Sequence, residues 1–284
     1  MSADPVNETD SMPRPGFGEE DPVVRVLQLT DSHLYSNPDG TLAGLNTLNS
    51  FDRVLALAAE RTAASDCILA TGDLVHDATA KGYAVMAARL QQLDRPVYCL
   101  PGNHDVPAVM QANLNQGWVA TPKSVRYGNW LIILLDSTLP DEVGGALSPG
   151  ELENLRLLLD ANPDSDVLVS LHHHPVPIGS EWMDDMALAN PSDFFGIIDR
   201  HERVRGVLWG HIHQIFEDER DGVRLMGSPS TCIQFKPGQD RFEIDRSAPG
   251  YRWLDLYPDG QIISGVERIA AIPAGLNIAS SGYE

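Results

Sequence analysis

Carboxylate, imidazole and amide side chains recur at the ends of short apolar runs in this chain. They are Asp31-Ser32-His33 after residues 23–30, Gly72-Asp73 after 67–71, and Gly102-Asn103-His104-Asp105 after 97–100. Two more follow: His172-His173-His174, which 166–171 runs into, and Gly210-His211-Ile212-His213 after 205–209. Seven of the nine histidines lie in these clusters; only His76 and His201 stand outside. The donors are hard or borderline and include no thiolate, a set that suits manganese, iron, zinc or cobalt. Asp31 and His33 are two apart, so an extended backbone sends both to one side, where they can hold one cation together. His211 and His213 repeat that spacing. Asp73 has two oxygens and can bridge two cations, and Asn103 supplies a neutral oxygen. His104 adjoins Asn103, must point elsewhere, and is free to act on a substrate. Taken singly, Asp-x-His is matched by a capped turn and Gly-Asp is commonplace. The ordered set on successive strand ends carries the inference.

The elements that must position these clusters alternate. Residues 23–30 predict a strand, 48–62 a helix with Phe51, Val54, Leu55, Ala58 and Ala59 at helical spacing, 67–71 a strand, 79–93 a helix, and 97–100 a strand. Pro107 opens a further helix. Strands at 130–135, 166–171 and 205–209 follow, with helices starting at Ser148-Pro149-Gly150-Glu151 (a serine cap before a proline) and over 193–203. Strand–helix alternation favours parallel strands with helical crossovers, whose carboxyl ends share one edge where ligands bind. Beyond residue 213 the texture becomes strand-rich, at 214–219, 223–226, 251–257 and 261–267, and reads as antiparallel. The pattern falls into two α/β halves, 23–145 and 146–268, with no linker between them. Residues 23–269 therefore read as one domain, 1–22 as a disordered arm, and 270–284 as a loose tail.

The 284 residues carry a formal net charge of −20, and Lys81, Lys123 and Lys236 are the only lysines. So acidic a chain repels nucleic acid and anionic membrane, which argues against a nuclease. No apolar run approaches the roughly 20 residues needed to span a bilayer. The first residues hold neither a basic nor an apolar leader region, so no signal peptide is expected. Cys67, Cys99 and Cys232 have no metal-like spacing and are expected as buried thiols, which points to the cytoplasm.

The ordered clusters resemble the calcineurin-like metallophosphoesterase superfamily, whose pattern is Asp-x-His, Gly-Asp, Gly-Asn-His-Asp/Glu, His, Gly-His-x-His. Every element is present over residues 25–215. The resemblance implies a four-layer α/β/β/α sandwich and a two-metal centre. Carried over, Asp31, His33, Asp73 and His213 hold one metal. Asp73, Asn103, His211 and one histidine of 172–174 hold the other; ungapped alignment selects His172, with His173 as the alternative register. Residues 27–34, 70–74, 100–105, 172–179, 210–214, 229–237 and 248–256 are further similar to bacterial class III 3′,5′-cyclic-AMP phosphodiesterases.

What that similarity implies is hydrolysis of 3′,5′-cyclic AMP to 5′-AMP by a hydroxide held between two divalent cations per chain. Iron or manganese are expected there, with zinc or cobalt admitted. His104 would stabilise or protonate the leaving oxygen, and Asp105 would orient its ring. His33, Asp73, Asn103, His104 and His213 are expected to meet the phosphate. Phe235 could stack on the base and Lys236 attract phosphate, although a core Phe235 and a solvated Lys236 are favoured over those roles. Trp182 is a lid or oligomer contact; Trp130 and Trp209 are core. The partner expected is a small cyclic nucleotide, not nucleic acid or membrane, with a monomer or homodimer as the assembly. The alternative is a broader phosphodiesterase acting on 2′,3′-cyclic nucleotides or glycerophosphodiesters. A non-catalytic nucleotide binder would not need the complete ligand set.

Overall fold

The computed structural model describes residues 23–283. The expected arm at 1–22 lies outside them. In chain order the elements are β1 (Val24–Leu29), the hairpin β2 (Thr41–Leu42) and β3 (Leu45–Asn46), α1 (Thr47–Ala64), β4 (Cys67–Thr71), α2 (Ala80–Gln91), β5 (Val97–Leu100), α3 (Pro107–Leu114), β6 (Val119–Ala120), β7 (Ser124–Tyr127) and β8 (Trp130–Leu134). Then come α4 (Pro149–Asp160), β9 (Asp166–Ser170), the short α5 (Glu181–Asp184), α6 (Pro191–Ile198), β10 (Val204–Trp209), β11 (Phe216–Arg220), β12 (Val223–Gly227), β13 (Gly250–Leu256) and β14 (Ile262–Arg268). Side-chain caps start the main helices. Asn46 accepts from the Asn49 amide, Thr79 Oγ1 from Gly82 and Ser148 Oγ from Glu151, each taking up an amide that the first turn leaves unpaired. Helix α6 stops at Ile198, short of the expected 203, because the chain must turn through His201 to enter β10 at Val204.

Among the described residues the strands form two six-stranded sheets, ordered β14-β13-β1-β4-β5-β6 and β11-β12-β10-β9-β8-β7. Strand alternation sorts each strand's side chains between two cores. Val24 and Val26 of β1, Cys67 and Leu69 of β4, and Tyr98 and Leu100 of β5 face Trp130, Ile132, Leu134, Leu168 and Leu208 of the other sheet. The intervening residues Leu27, Leu29, Ile68, Ala70, Val97 and Cys99 pack under α1, α2 and α3. Leu131, Ile133, Val167, Val169 and Val207 pack under α4 and α6. The result is the expected α/β/β/α sandwich.

Connectivity departs from the two sequential halves. Strands β7 and β8 already belong to the second sheet, whereas β13 and β14 return from the far end of the chain to pair antiparallel with β1. A buried arginine marks that return. Arg252 of β13 donates to Ser228 Oγ, the Gly227 carbonyl and Ser264 Oγ and pairs with Glu217, so its charge is compensated between the sheets. Strands β1, β4 and β5 run parallel, as do β8, β9, β10 and β12. Their carboxyl ends deliver Asp31, Asp73, Asn103, His172 and His211 to one edge of the sandwich.

Candidate active site

The backbone that presents these residues is not extended. Asp31 (φ 53°), His33 (45°), Asp73 (50°), His211 (67°) and His213 (46°) all lie in the left-handed region. A non-glycine residue there is uncommon and costs of order 1–3 kcal/mol, so five at one edge mark a functional constraint. The side chains of Asp-x-His and His-x-His thus converge through tight turns, not through the strand alternation that the spacing suggested. The turns are locked to one another: the Asp31 amide donates to the Gly72 carbonyl at 3.0 Å, that of His33 to Asp73 at 2.8 Å, and that of Leu34 to Leu74 at 3.0 Å. Gly72 (φ 95°) and Gly102 allow the close approach. A Cβ on Gly72 would stand 2.3 Å from His172 Nδ1, and one on Gly102 would stand 2.3 Å from Asp73 Oδ1.

Three groups of donors result among the described residues; one, His33, His76 and His104, is made of imidazoles alone, and the other two include carboxylates. Of these two, Asp31, His33 and His213 form the first, and Asp73, His172 and His211 the second; within each, one ligand atom per residue lies within 4.8 Å of the rest. In the first, His33 Nε2 is 3.2 Å from His213 Nε2, which is 3.3 Å from Asp31 Oδ1. Two nitrogens bound at about 2.0–2.1 Å to one tetrahedral cation stand roughly 3.4 Å apart, so the spacing fits a shared ion. In the second, His172 Nε2 is 3.4 Å from Asp73 Oδ2, which is 3.6 Å from His33 Nε2 of the first group. Asp73 Oδ2 thus stands between the groups, while its Oδ1 accepts from the His104 amide at 2.9 Å.

The rings are held as metal-ligating histidines are held, with the far nitrogen on a backbone carbonyl. His172 Nδ1 donates to Thr71 O (2.8 Å), His213 Nδ1 to Ile233 O (2.9 Å) and His211 Nε2 to Met186 O (3.1 Å). That leaves His172 Nε2, His213 Nε2 and His211 Nδ1 as the nitrogens available to a cation, each offering a lone pair when its ring is neutral. Asn103 Oδ1 and His172 Nε2 are buried and have no hydrogen-bond partner. Buried polar atoms are rarely left so, and a cation would satisfy both.

Charge is concentrated here. Burial drives His33 and His211 well below the usual imidazole range. Burial also opposes charge on His172, but the Asp73 and Asp31 carboxylates outweigh it and push that ring up to about 9. Asp73 is held well below the usual carboxylate range, because His172, His104 and His33 outweigh its burial. His104 is half-buried at the rim, whereas Asp31, His33, Asp73, His172, His211 and His213 are buried.

Some expectations change. Asp105 does not orient His104. Its Oδ2 accepts from the Leu74 and Gly102 amides (3.1 and 3.0 Å), and its Oδ1 from the Val75 amide (3.2 Å) and the Tyr83 hydroxyl (2.8 Å). The carboxylate is consumed in bracing the two metal-side loops against α2. His173 uses both nitrogens on Ser137 Oγ and the Val143 carbonyl, and His174 faces Asp184 at 3.4 Å, which separates them from the donors that His172 joins. His201 lies apart, 3.5 Å from Asp160.

His76, set aside in the sequence, is in the site. Its Nδ1 is 3.2 Å from His33 Nδ1, and its ring stacks on His104 at 4.6 Å and 23°. The signal was its place three residues after Gly72-Asp73. Phe235 is buried, as favoured, yet stacks on His213 at 4.1 Å and 5°; Lys236 is exposed and pairs with Glu243 at 2.7 Å. Trp182 packs edge-on against Phe235 and Phe242, while Trp130 and Trp209 are buried in the cores. Residues 270–283 carry no helix or strand but are pinned rather than loose. The Asn277 amide donates to Ala43 O and the Ala43 amide to Tyr283 O, both at 2.8 Å, and the Tyr283 ring stands 5.5 Å from that of His104.

Residues 24–215 match the family model described as calcineurin-like phosphoesterase. The chain is 40% identical over 263 residues to the 3′,5′-cyclic adenosine monophosphate phosphodiesterase CpdA of Pseudomonas aeruginosa, covering 93% of this chain and 96% of that one. It is 38% identical over 261 residues to the protein of the same name from Escherichia coli K12, covering 92% and 95%. Among solved structures, a dimetal phosphatase from Danio rerio superposes with a TM-score of 0.64 at 16% identity, covering 93% of this chain and all of that one.

Proposed function

That this chain belongs to the calcineurin-like phosphoesterase family is the premise from which we propose its reaction: metal-dependent hydrolysis of 3′,5′-cyclic AMP to 5′-AMP. One observation carries the two-cation reading. Asp73 Oδ2 lies 3.6 Å from a nitrogen of one donor group and 3.4 Å from a nitrogen of the other. Asp31, His33 and His213 would hold one cation, Asn103, His172 and His211 the second, and Asp73 both. When bound, such a pair supplies Lewis acidity toward a phosphoryl oxygen and lowers the pKa of a water. A donor set of nitrogen and oxygen without thiolate supports iron or manganese, and accommodates zinc or cobalt.

The chain's own residues do the rest. The His104 amide occupies Asp73 Oδ1, so Oδ2 would be the oxygen that serves both donor groups. The His104 ring, half-buried at the rim and stacked on His76, gives its proton to the departing 3′-oxygen. His33, Asp73, Asn103, His104 and His213 surround the place of the phosphate. The substrate rests on the near full-length similarity to enzymes named for 3′,5′-cyclic AMP. Strands β13 and β14 complete the first sheet from beyond the matched region, which supports one domain across residues 23–269. No described helix is long and apolar enough to cross a membrane. Three buried, unpaired cysteines support a reducing compartment, and we place the enzyme in the cytoplasm.

The test is an assay of metal-supplemented protein on 3′,5′-cyclic AMP, 2′,3′-cyclic AMP and a glycerophosphodiester, with elemental analysis of the same sample. Two metals per chain, 5′-AMP as product and preference for the 3′,5′ ring are expected. Faster turnover of either other substrate would replace the reading with a broad phosphodiesterase.

A further inference from the structure

The end of the chain brings an aromatic side chain to the rim of the site. Tyr283 stands over three histidines, with ring centroids 5.5 Å from His104, 5.7 Å from His33 and 5.8 Å from His76. On its other side it lies nearly parallel to Phe235, at 6.2 Å and 16°. Phe235 is buried, and it is held by stacking on His213. Phe242 closes the side, with its edge toward both rings at 5.3 and 6.1 Å. Two nearly parallel rings, Phe235 and Tyr283, thus lie next to the residues proposed to surround the phosphate.

A planar base between two rings needs about 7 Å from ring to ring, twice the roughly 3.5 Å of carbon–carbon contact. The Phe235 and Tyr283 ring centroids, 6.2 Å apart, must separate by about 1 Å to admit one. The Tyr283 backbone is tied to Ala43, so the room must come from its ring turning about the side-chain bonds; a groove of about 500 Å³ lies between residues 242–246 and 278–281. Nucleobases are bound by such sequence-tolerant stacking on aromatic faces.

We infer that Tyr283 and Phe235 clamp the base of the substrate, so that the C-terminal strap supplies a specificity-determining residue for the hydrolysis. This rests on the cyclic-nucleotide reading above. The clamp also accounts for a ring so near His104: a cyclic nucleotide carries its base a short distance from its phosphate, and the two must be gripped together. The alternative occupant of that space is Tyr283 itself, as a cover that merely obstructs the site.

The experiment compares full-length wild type, Tyr283→Leu and Tyr283→Phe, metal-loaded and matched for metal content and melting temperature. The substrates are 3′,5′-cyclic AMP and methyl β-ribofuranoside 3′,5′-cyclic phosphate, which keeps the scissile ring and lacks the base. In Tyr283→Leu the ratio of kcat/KM for cyclic AMP to that for the base-free diester should fall about tenfold, through KM, in line with the loss of one stacking face. Tyr283→Phe should preserve the ratio, since the face and not the hydroxyl binds. An unmoved ratio, or a rise in kcat/KM for both substrates alike, would overturn the clamp. Wild-type enzyme that cleaves the base-free diester but not cyclic AMP would instead overturn the substrate reading, and the clamp with it.

Discussion

Asp105→Ala separates a bracing role from a catalytic one. The carboxylate takes four hydrogen bonds, from the Leu74, Val75 and Gly102 amides and the Tyr83 hydroxyl, and is buried. Removing it strands four buried donors, a gross loss of about 4–12 kcal/mol at about 1–3 each. Part returns, because burial and the Asp73 charge hold the acid up at about 6 against an ordinary 3.8. That shift of roughly two units is worth about 3 kcal/mol of relief when the charge is deleted. Water entering the hole recovers more of the remainder. A net loss of about 3–5 kcal/mol should follow, lowering the melting temperature by roughly 10 °C in a domain this size. Urea denaturation of the metal-loaded protein measures it, as a lower midpoint with unchanged slope. Turnover per metal-loaded molecule, measured at 10 °C where the variant stays folded, should remain within about tenfold of wild type, because Asp105 touches neither His104 nor the inward ring nitrogens. Asp105→Asn, keeping one acceptor, should lose less stability. A variant that kept wild-type stability yet lost turnover as deeply as a His104 variant would refute the reasoning and return Asp105 to the role of orienting His104.

Three further outcomes are expected. His104→Ala should lower kcat by about 10²–10⁴-fold, the usual contribution of a positioned acid; elemental analysis should find its metal content intact, and equal loss of metal would make it a ligand instead. Asn103→Ala, which removes a buried oxygen without a partner, should after dialysis retain about one of two cations. Unchanged stoichiometry would remove Asn103 from the ligand set. Metal binding should release protons. His172 is pushed up to about 9 in the metal-free protein and can ligate only when neutral, so apparent affinity should climb as pH rises toward 9, by up to tenfold per unit from this group. Calorimetry in two buffers of different ionisation enthalpy measures the release, and its absence at pH 7 would show that His172 is not displaced from its proton.

The sequence by itself determined the main helices, the strands other than the short β2, β3, β6 and β7, and the residues at their ends. Buried strands such as Cys67–Thr71 and Val97–Leu100 are short apolar runs bounded by glycine, proline or polar residues, and both ends of each were readable. It also presented Asp31, His33, Asp73, Asn103, His211 and His213 as one donor set, because their types and order repeat at successive strand ends. It left the histidine run at 172–174 ambiguous, since three identical side chains in a row carry no register. Tertiary structure separated them: Ser137 and the Val143 carbonyl occupy both nitrogens of His173, whereas His172 turns a free Nε2 toward Asp73.

Only the tertiary structure decided the roles that depend on partners distant in the chain. Asp105 adjoins His104 in sequence, but its acceptors are spent on amides and a hydroxyl about twenty to thirty residues upstream and on the amide of Gly102. His76 lies three residues beyond Gly72-Asp73, but its place in the site shows only in its contact with His33 and its stacking on His104. The return of β13 to β1, and the seating of Tyr283 opposite Phe235, bring together segments more than forty residues apart. Local pattern reports what a segment buries and where it turns. It holds no information on which distant segment will meet it, because that choice is made by packing and by the demand of each buried polar atom for a partner.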